Sequence, residues 1–412
     1  MKSDNKHISV HHIGARSGSR AFPILNRFEK DIINVLYDMD PDCLRQIRER
    51  NQNLKSELHV LPYCLGDTCK KTYVNINYDP YTSSLYELNP NYNEYYEFNC
   101  DHDYLLSEAC RTMEKRPVEL VTIDHIFQSK GTGMPPPDFL SIDTEGSEYE
   151  ILLGARETLK SDIVAVVLEA EFHPFRKGRK LFGDQVKLLS DQGFEFARFL
   201  NIQEASPFRA PIGLRAEGFH AASDVLFLRR PDNIDVERNK LKNYLMLRKL
   251  AFIAIAFSQF EYGIECLRRS KDLIGHHRPD RQEEPVYMRF LRELEQHIER
   301  MPQIFPPTFA TKYPSFAASK SRFENSTTNK MRNPTGTAHR IKQLLRQISV
   351  LYPLLKRIKC IFDKLFSKVV FSIKLMLTRK TGIEALLIQY GLKAHANILR
   401  RNRIIQTQFL KK

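Results

Sequence analysis

Through the first 230 residues short apolar runs alternate with amphipathic stretches, the rhythm of βαβ units laid around a mostly parallel sheet. Residues 8–13 read as a first strand, 14–18 as a tight loop, 21–30 as a helix and 32–37 as a second strand, with Asp38 at its end. Asp40 before Pro41 has the cap and first-turn chemistry of a helix start, and Leu44, Ile47 and Arg48 carry that helix on. Residues 58–63 read as a third strand. Between 72 and 119 the period loosens into a Tyr- and Asn-rich tract, densest at 89–96, which predicts an inserted lid or wall. Regularity returns at 118–123 and at 139–143, the latter behind Pro135-Pro136-Pro137 and expected as a fourth core strand. A helix over 148–159, an unbroken apolar strand at 163–168 expected to be buried on both faces, a helix over 183–192 and strands at 194–200 and 224–228 complete the pattern. The fold class expected is α/β, with a doubly wound sheet.

After Pro231 the alternation stops. Leu241, Tyr244, Leu245, Leu247, Leu250, Ile253 and Phe257 keep three-to-four spacing, as do Tyr287, Phe290, Leu291, Leu294 and Ile298, so an α-helical C-terminal region follows the sheet. Residues 301–338, rich in Pro, Ser, Thr and Asn without a period, read as a flexible linker. From Ile341 to Leu377 apolar residues recur at helical spacing while Lys and Arg fill the other faces, with Pro353 kinking the run. Four segments are therefore expected: a sheet domain over 1–232, a small helical module over 233–300, the linker over 301–338, and a basic amphipathic helical tail over 339–412.

Charge divides along the same seam. Of 63 Lys and Arg and 49 Asp and Glu in 412 residues, 1–232 carry 28 basic and 35 acidic side chains and 233–412 carry 35 and 14. Residues 310–412 alone hold 22 basic against 3 acidic, more than the whole +14 of the chain, which argues against one fold with one surface character. The tail has three readings: packing helices of a further domain, peripheral contact with an anionic membrane surface, or nucleic acid. The last is least favoured, because the tract is aliphatic and offers few aromatics for base stacking. No run approaches the roughly 18 uncharged apolar residues of a membrane span, and the first ten residues lack the apolar core of a secretory signal. A cytoplasmic protein is expected, with contact at the inner membrane surface through the tail. Seven cysteines with no Cys-x-x-Cys pair fit reduced thiols better than a disulfide or zinc framework.

The candidate chemistry lies in the first domain. Gly14 and Gly18 bracket a loop straight after the first strand, where missing side chains let backbone N–H groups approach a ligand. Asp38 follows Gly14 by 24 positions, near the spacing of roughly 20 that places an acid beside ribose hydroxyls in nucleoside-binding folds. A Gly-x-x-x-Gly turn alone is weak, since most are only tight turns. The dinucleotide pattern Gly-x-Gly-x-x-Gly is absent, which disfavours a nicotinamide enzyme. The stronger signal is Asp138-Phe139-Leu140-Ser141-Ile142-Asp143-Thr144-Glu145-Gly146-Ser147-Glu148, which sets Asp143, Glu145 and Glu148 at the carboxyl end of a core strand and in the following turn, where open α/β sheets bind ligands. Singly, such acids could serve only as helix caps or dipole partners.

On these residues the chain resembles the FkbM-type methyltransferases. The resemblance runs through Ile13-Gly14-Ala15-Arg16-Ser17-Gly18, Tyr37-Asp38-Met39-Asp40-Pro41, Leu65-Gly66-Asp67, Ser83-Ser84-Leu85 and Val121-Thr122-Ile123-Asp124. Above all it rests on Ile142-Asp143-Thr144-Glu145-Gly146-Ser147-Glu148 with Leu153-Gly154-Ala155 and Leu168-Glu169, and it covers 8–228. It implies a Rossmann-like class I methyltransferase sheet, S-adenosylmethionine as cofactor and a hydroxyl as acceptor. Implied cofactor contacts are Gly14, Ala15, Gly18, Asp38, Asp67, Ser84 and Asp143. Two positions depart from the family pattern: His12 stands where an Asp is common, and Ser141 where a Lys is frequent.

The reaction so implied is an in-line displacement in which the fold chiefly positions the reactants. An alcohol is a poor nucleophile at neutral pH, so a carboxylate or imidazole takes its proton or a metal lowers its pKa. The catalytic candidates are Asp143 beside the methyl group, Glu145 as base or metal ligand, then Glu169, and last His173, because a His beside Pro174 is more often an ordinary loop residue. A divalent metal is left open. The acceptor expected is a hydroxyl of a sugar, glycolipid or related small molecule. The competing reading is a non-catalytic adaptor with a methyltransferase-like fold that binds partners or membrane through its helical basic half.

Overall fold

The computed structural model describes residues 6–17, 22, 27–50, 56–98, 103–128, 133–209, 217–234, 239–274, 284–301 and 382–398. In chain order the strands are β1 (Ile8–Ile13), β2 (Ile32–Tyr37), β3 (Glu57–Leu61), β4 (Cys64–Leu65), β5 (Lys70–Asn77), β6 (Tyr96–Phe98), β7 (Asp103–Leu105), β8 (Thr112–Val121), β9 (Phe139–Ile142), β10 (Ala165–Glu171), β11 (Phe194–Phe199), β12 (Gln203–Ser206) and β13 (Phe219–Arg229). The helices are α1 (Pro41–Arg50), α2 (Leu106–Ala109), α3 (Ile123–Gln128), α4 (Glu148–Leu153), α5 (Arg156–Ser161), α6 (Phe182–Asp191), α7 (Lys240–Ala256), α8 (Phe260–Ile274), α9 (Val286–Glu299) and α10 (Gly382–Gln389).

All side chains of β1, β9 and β10 are buried, as strands covered on both faces require. They form the parallel centre of a ten-stranded sheet ordered β3-β2-β1-β9-β10-β13-β12-β6-β7, with β11 also pairing β13. Pairing is parallel from β3 to β10 and antiparallel from β10 onward. From β1 the chain moves outward through β2 to β3, then returns to lay β9 on the other side of β1. This reversal is the topological switch point of a doubly wound sheet, and it opens a crevice at the carboxyl ends of β1 and β9.

The structure refines three expectations. Of the regular run at 118–123, residues 118–121 end β8, which pairs β4 and β5 in a separate three-stranded sheet, and Ile123 opens α3. The aperiodic insertion holds ordered strands, and two of them, β6 and β7, extend the main sheet beyond β12. The helix expected over 148–159 is split into α4 and α5 at Gly154, where an added Cβ would lie 2.1 Å from the Gly66 carbonyl oxygen. The chain breaks its helix there because another backbone passes against it.

α7 is buried on almost every side, unlike the amphipathic helices of a surface module. Phe28 meets Phe252 and Phe290 edge-on, and Phe139 stacks with Phe257, so the helices close the amino ends of β2 and β9. Lys249 reaches both carboxylate oxygens of Asp138 at 2.9 and 2.8 Å, and Asp138 also accepts from the Ser9 amide at 2.8 Å. One compact unit therefore runs from residue 1 to Glu295 and takes in α7, α8 and most of α9, where a separate helical module had been expected. The second unit, from Gln296, is described through α10, whose Glu384, Leu386 and Leu387 are buried. Within the linker and the basic tail the described residues are 301 and 382–398, so the apolar stripe from Ile341 to Leu377 lies outside them. Among the described residues no helix is long and apolar enough to cross a membrane.

β1 carries two buried histidines. His11 lies between the Ser9 hydroxyl and the Tyr37 hydroxyl, each at 2.9 Å, and burial pushes both His11 and His12 down to about 3. Above pH 6.5 these rings are neutral folded or unfolded; below it the unfolded chain takes up protons the folded chain refuses, so stability falls between pH 6.5 and 3. His12→Gln should lower stability at pH 8, and the gap to the native chain should narrow by about 1 kcal/mol per pH unit below 6.5; denaturant titrations at several pH values measure this, and a constant gap refutes it. Lys249→Met, which leaves Asp138 buried without its cation, should cost about 3–5 kcal/mol in the same measurement. A loss below about 1 kcal/mol would show that the ion pair does not hold α7 to the sheet.

Candidate active site

The loop after β1 is shaped by one close approach. Gly14 has φ 81°, donates its amide to the Tyr37 carbonyl at 3.2 Å, and lies so near Asp143 that an added Cβ would sit 1.7 Å from its carbonyl oxygen. Only glycine fits. On the other side the Asp143 amide donates to the Ile13 carbonyl at 2.9 Å, so the first loop and the acidic loop after β9 meet across the switch point. Both line a cavity of about 740 Å³, within the range of small-molecule and cofactor sites.

Asp38, immediately after β2, lines that cavity and orders the start of α1. Its Oδ1 accepts from the Asp40 amide at 2.8 Å and its Oδ2 from the Cys43 thiol at 3.1 Å, leaving lone pairs on both oxygens for a ligand. Asp40 caps α1 by accepting from the Asp42 amide at 3.0 Å, and holds Arg16 at 2.8 Å.

The acidic loop is folded around Glu148. Wholly buried, Glu148 accepts through Oε1 from the Thr144 amide and hydroxyl, both at 2.9 Å, and from the Gly146 amide at 3.2 Å; Oε2 takes Arg179 at 2.9 Å. This clasp holds Glu145 in the left-handed region at φ 58°, and the Ser84 hydroxyl fixes the Glu145 carbonyl at 2.6 Å. The Glu145 side chain then pairs with buried Arg176, which also donates to the Thr82 carbonyl at 3.1 Å. Glu169 and Glu171, two apart on β10, share one face; Arg179 contacts Glu171 directly and Glu169 at 3.5 Å. Burial, with Glu145 and Asp143 close by, raises Glu169 well above the usual carboxylate range, and burial lifts Glu171 to about 7 despite Arg179.

Of the residues singled out in the sequence, the fold gathers Gly14, Asp38, Ser84, Asp143, Glu145 and Glu169 on one cavity. Ala15 is buried behind Gly14, and Asp67 pairs with Lys70 at 2.9 Å; neither lines it. His173 also lies away from the lining, ringed by Tyr92, Phe175 and Phe219. Gly18 lies outside the described residues. His12 and Ser141 are paired neighbours inside the sheet and neither lines the cavity. Carboxylate oxygens of Asp143, Glu145 and Glu169 lie within 4.8 Å of one another, a hard-oxygen set that suits a divalent cation, although Arg176 and Arg179 already neutralise part of that charge.

Sequence reasoning missed Arg176, Arg179, Glu171 and the cavity wall of Glu97 and Tyr104. A signal for the arginines was present: Glu145 and Glu148 are three apart, Arg176 and Arg179 are three apart, and each pair is separated by 31 residues.

Residues 12–196 match the family model described as the Methyltransferase FkbM domain. No curated protein matches the chain. Among solved structures, a methyltransferase FkbM from Methylobacillus flagellatus KT is similar at 12% identity over 54% of this chain and 44% of its own, with a TM-score of 0.27. A TehB-like SAM-dependent methyltransferase from Corynebacterium glutamicum is similar at 10% identity over 54% of this chain and 80% of its own, with a TM-score of 0.24. The chain thus spans less than half the length of the first of these. With the blocks at Gly14, Asp38 and Asp143 all inside the matched region, residues 12–196 carry the FkbM methyltransferase domain.

Proposed function

We propose that this chain is an S-adenosylmethionine-dependent O-methyltransferase acting on a hydroxyl of a sugar, glycolipid or related small molecule. The observation that carries this reading is the meeting of Gly14 and Asp143 at the switch point, on one cavity with Asp38. The residues fit the cofactor: a side-chain-free loop, an acid after β2 with lone pairs to spare, and a cavity of suitable volume. Gly14 and Asp38 would hold the nucleoside, and Asp143 would stand beside the positive centre. When bound, S-adenosylmethionine supplies a methyl group made electrophilic by its sulfonium.

The chain's own part is to orient an acceptor hydroxyl and remove its proton. The Glu145 side chain is committed to its ion pair with Arg176. Glu169, a lining carboxylate that burial raises well above the usual range, serves as the base. Burial, and after it the charges of Glu145 and Asp143, set its affinity for the proton, so the acids work as a group.

Calorimetry with S-adenosylmethionine should detect binding, and Asp38→Ala should weaken it about tenfold or more, as loss of hydrogen bonds to a charged group does. No binding at millimolar cofactor sinks the enzyme reading and leaves the adaptor. With labelled methyl donor and a panel of sugars and glycolipids, Glu169→Gln should cut turnover by about a hundredfold or more while cofactor affinity stays unchanged. Unchanged turnover would remove Glu169 as the base.

A further inference from the structure

Among the described residues, nine carboxylate side chains and two arginines line the cavity. Each arginine is already ion-paired with an acid: Arg16 holds Asp40 at 2.8 Å, and Arg176 holds Glu145 and the Thr82 carbonyl through Nη2, while its Nε and Nη1 are buried without a hydrogen-bond partner. The cofactor cannot balance this wall either. A sulfonium with an amino-acid zwitterion carries one net positive charge, and Asp143 and Asp38 already stand at its end of the cavity.

One of the lining acids, Glu97, stands on a strand that the insertion adds to the main sheet. Glu97 on β6 faces Tyr104 on β7 in register, and the Tyr104 hydroxyl donates to the Glu97 carboxylate. Both line the cavity among Leu88, Leu106, Phe175 and Ala205, an apolar frame in which a carboxylate is a strong orienting feature. Resting on the methyltransferase reading above, we propose that Glu97, braced by Tyr104, binds a protonated amine on the acceptor, so that the substrate is an amino-bearing polyol such as an amino sugar. A phosphorylated or otherwise anionic polyol would meet, among the described residues, an excess of carboxylates over arginines that are themselves already paired with acids. Burial raises Glu97 to about 7, with Glu145 and Asp79 adding to the effect of burial and Tyr104 and Arg176 opposing it, and an ammonium at this point relieves that cost.

The test uses the whole chain saturated with S-adenosylhomocysteine and three matched probes: 1-amino-1-deoxysorbitol, sorbitol and sorbitol 6-phosphate, each titrated calorimetrically at pH 7.5. The aliphatic amine is protonated there. The amine should bind at least about tenfold tighter than sorbitol, the scale of one charge-assisted hydrogen bond, and the phosphate should not bind. Glu97→Gln should erase that preference and leave sorbitol and S-adenosylhomocysteine affinities unchanged, while Tyr104→Phe, which keeps the charge, should retain it. Absence of amine binding, equal binding of the three probes, or preference for the phosphate overturns the proposal. So does magnesium ion that binds below millimolar concentration and displaces the amine, because the acids then serve a metal. If Glu97→Gln no longer binds S-adenosylhomocysteine, the ranking of the three probes on the native chain decides. Native chain that binds S-adenosylhomocysteine but not the amine refutes this inference alone; failure to bind S-adenosylhomocysteine refutes the methyltransferase reading with it.

Discussion

No side chain fits between Gly14 and the Asp143 carbonyl, and the architecture of the site depends on that contact. It follows from placing β9 directly beside β1, which brings two loops separated by well over a hundred residues within one backbone's width. Parallel pairing sends both strands out of the sheet at the same end, so the ligand-binding turn and the acidic loop must share a crevice. A residue larger than glycine at position 14 would push the loops apart and separate Asp38 from Asp143, whatever their own chemistry.

Keeping acids at such a crevice is electrostatically expensive, and the protein's remedy is two buried arginines. Glu145, Glu148, Glu169 and Glu171 lie in a poorly solvated region, and Arg176 and Arg179 each touch at least one of them. The compensation is uneven. Glu148, wholly buried, spends its carboxylate on four hydrogen bonds that hold the loop, whereas Glu169 has Arg179 only at 3.5 Å and keeps a raised pKa. Uneven pairing separates a group that holds the loop from one that can exchange a proton, and chain position alone would not have told them apart.

Much of this was legible in the sequence. The strands at 8–13 and 32–37, the acid after the second, and the block at Asp143 are set by local pattern, and local pattern survives folding. What escaped was long-range. The sequence shows a return of regularity at 118–123, but that pattern cannot name a partner, and the partners of β8 are β4 and β5 outside the main sheet. The break at Gly154 comes from the Gly66 carbonyl, a backbone group with no signature in side-chain pattern. Glu97 sat in a tract without period and was passed over, although its strand pairs Ala205 on one side and Tyr104 on the other. α7 was read as part of a separate module because its apolar residues are spaced like an amphipathic helix, but its Lys249 is the cation that Asp138 requires.

That last pair shows how the two ends of one strand are divided. Asp138 and Asp143 flank β9, five residues apart and so about 16 Å along an extended chain. The first is closed in by Lys249 and the Ser9 amide and contributes to stability; the second stands exposed at the mouth of the cavity. Aromatic packing from α7 and α9 seals the amino end, so ligand access is left to the carboxyl end. Sequence identity does not assign these roles, since both residues are aspartates beside the same strand. Each role follows from what the rest of the chain places at that end, and for this protein the C-terminal helices decide it as much as the acidic motif does.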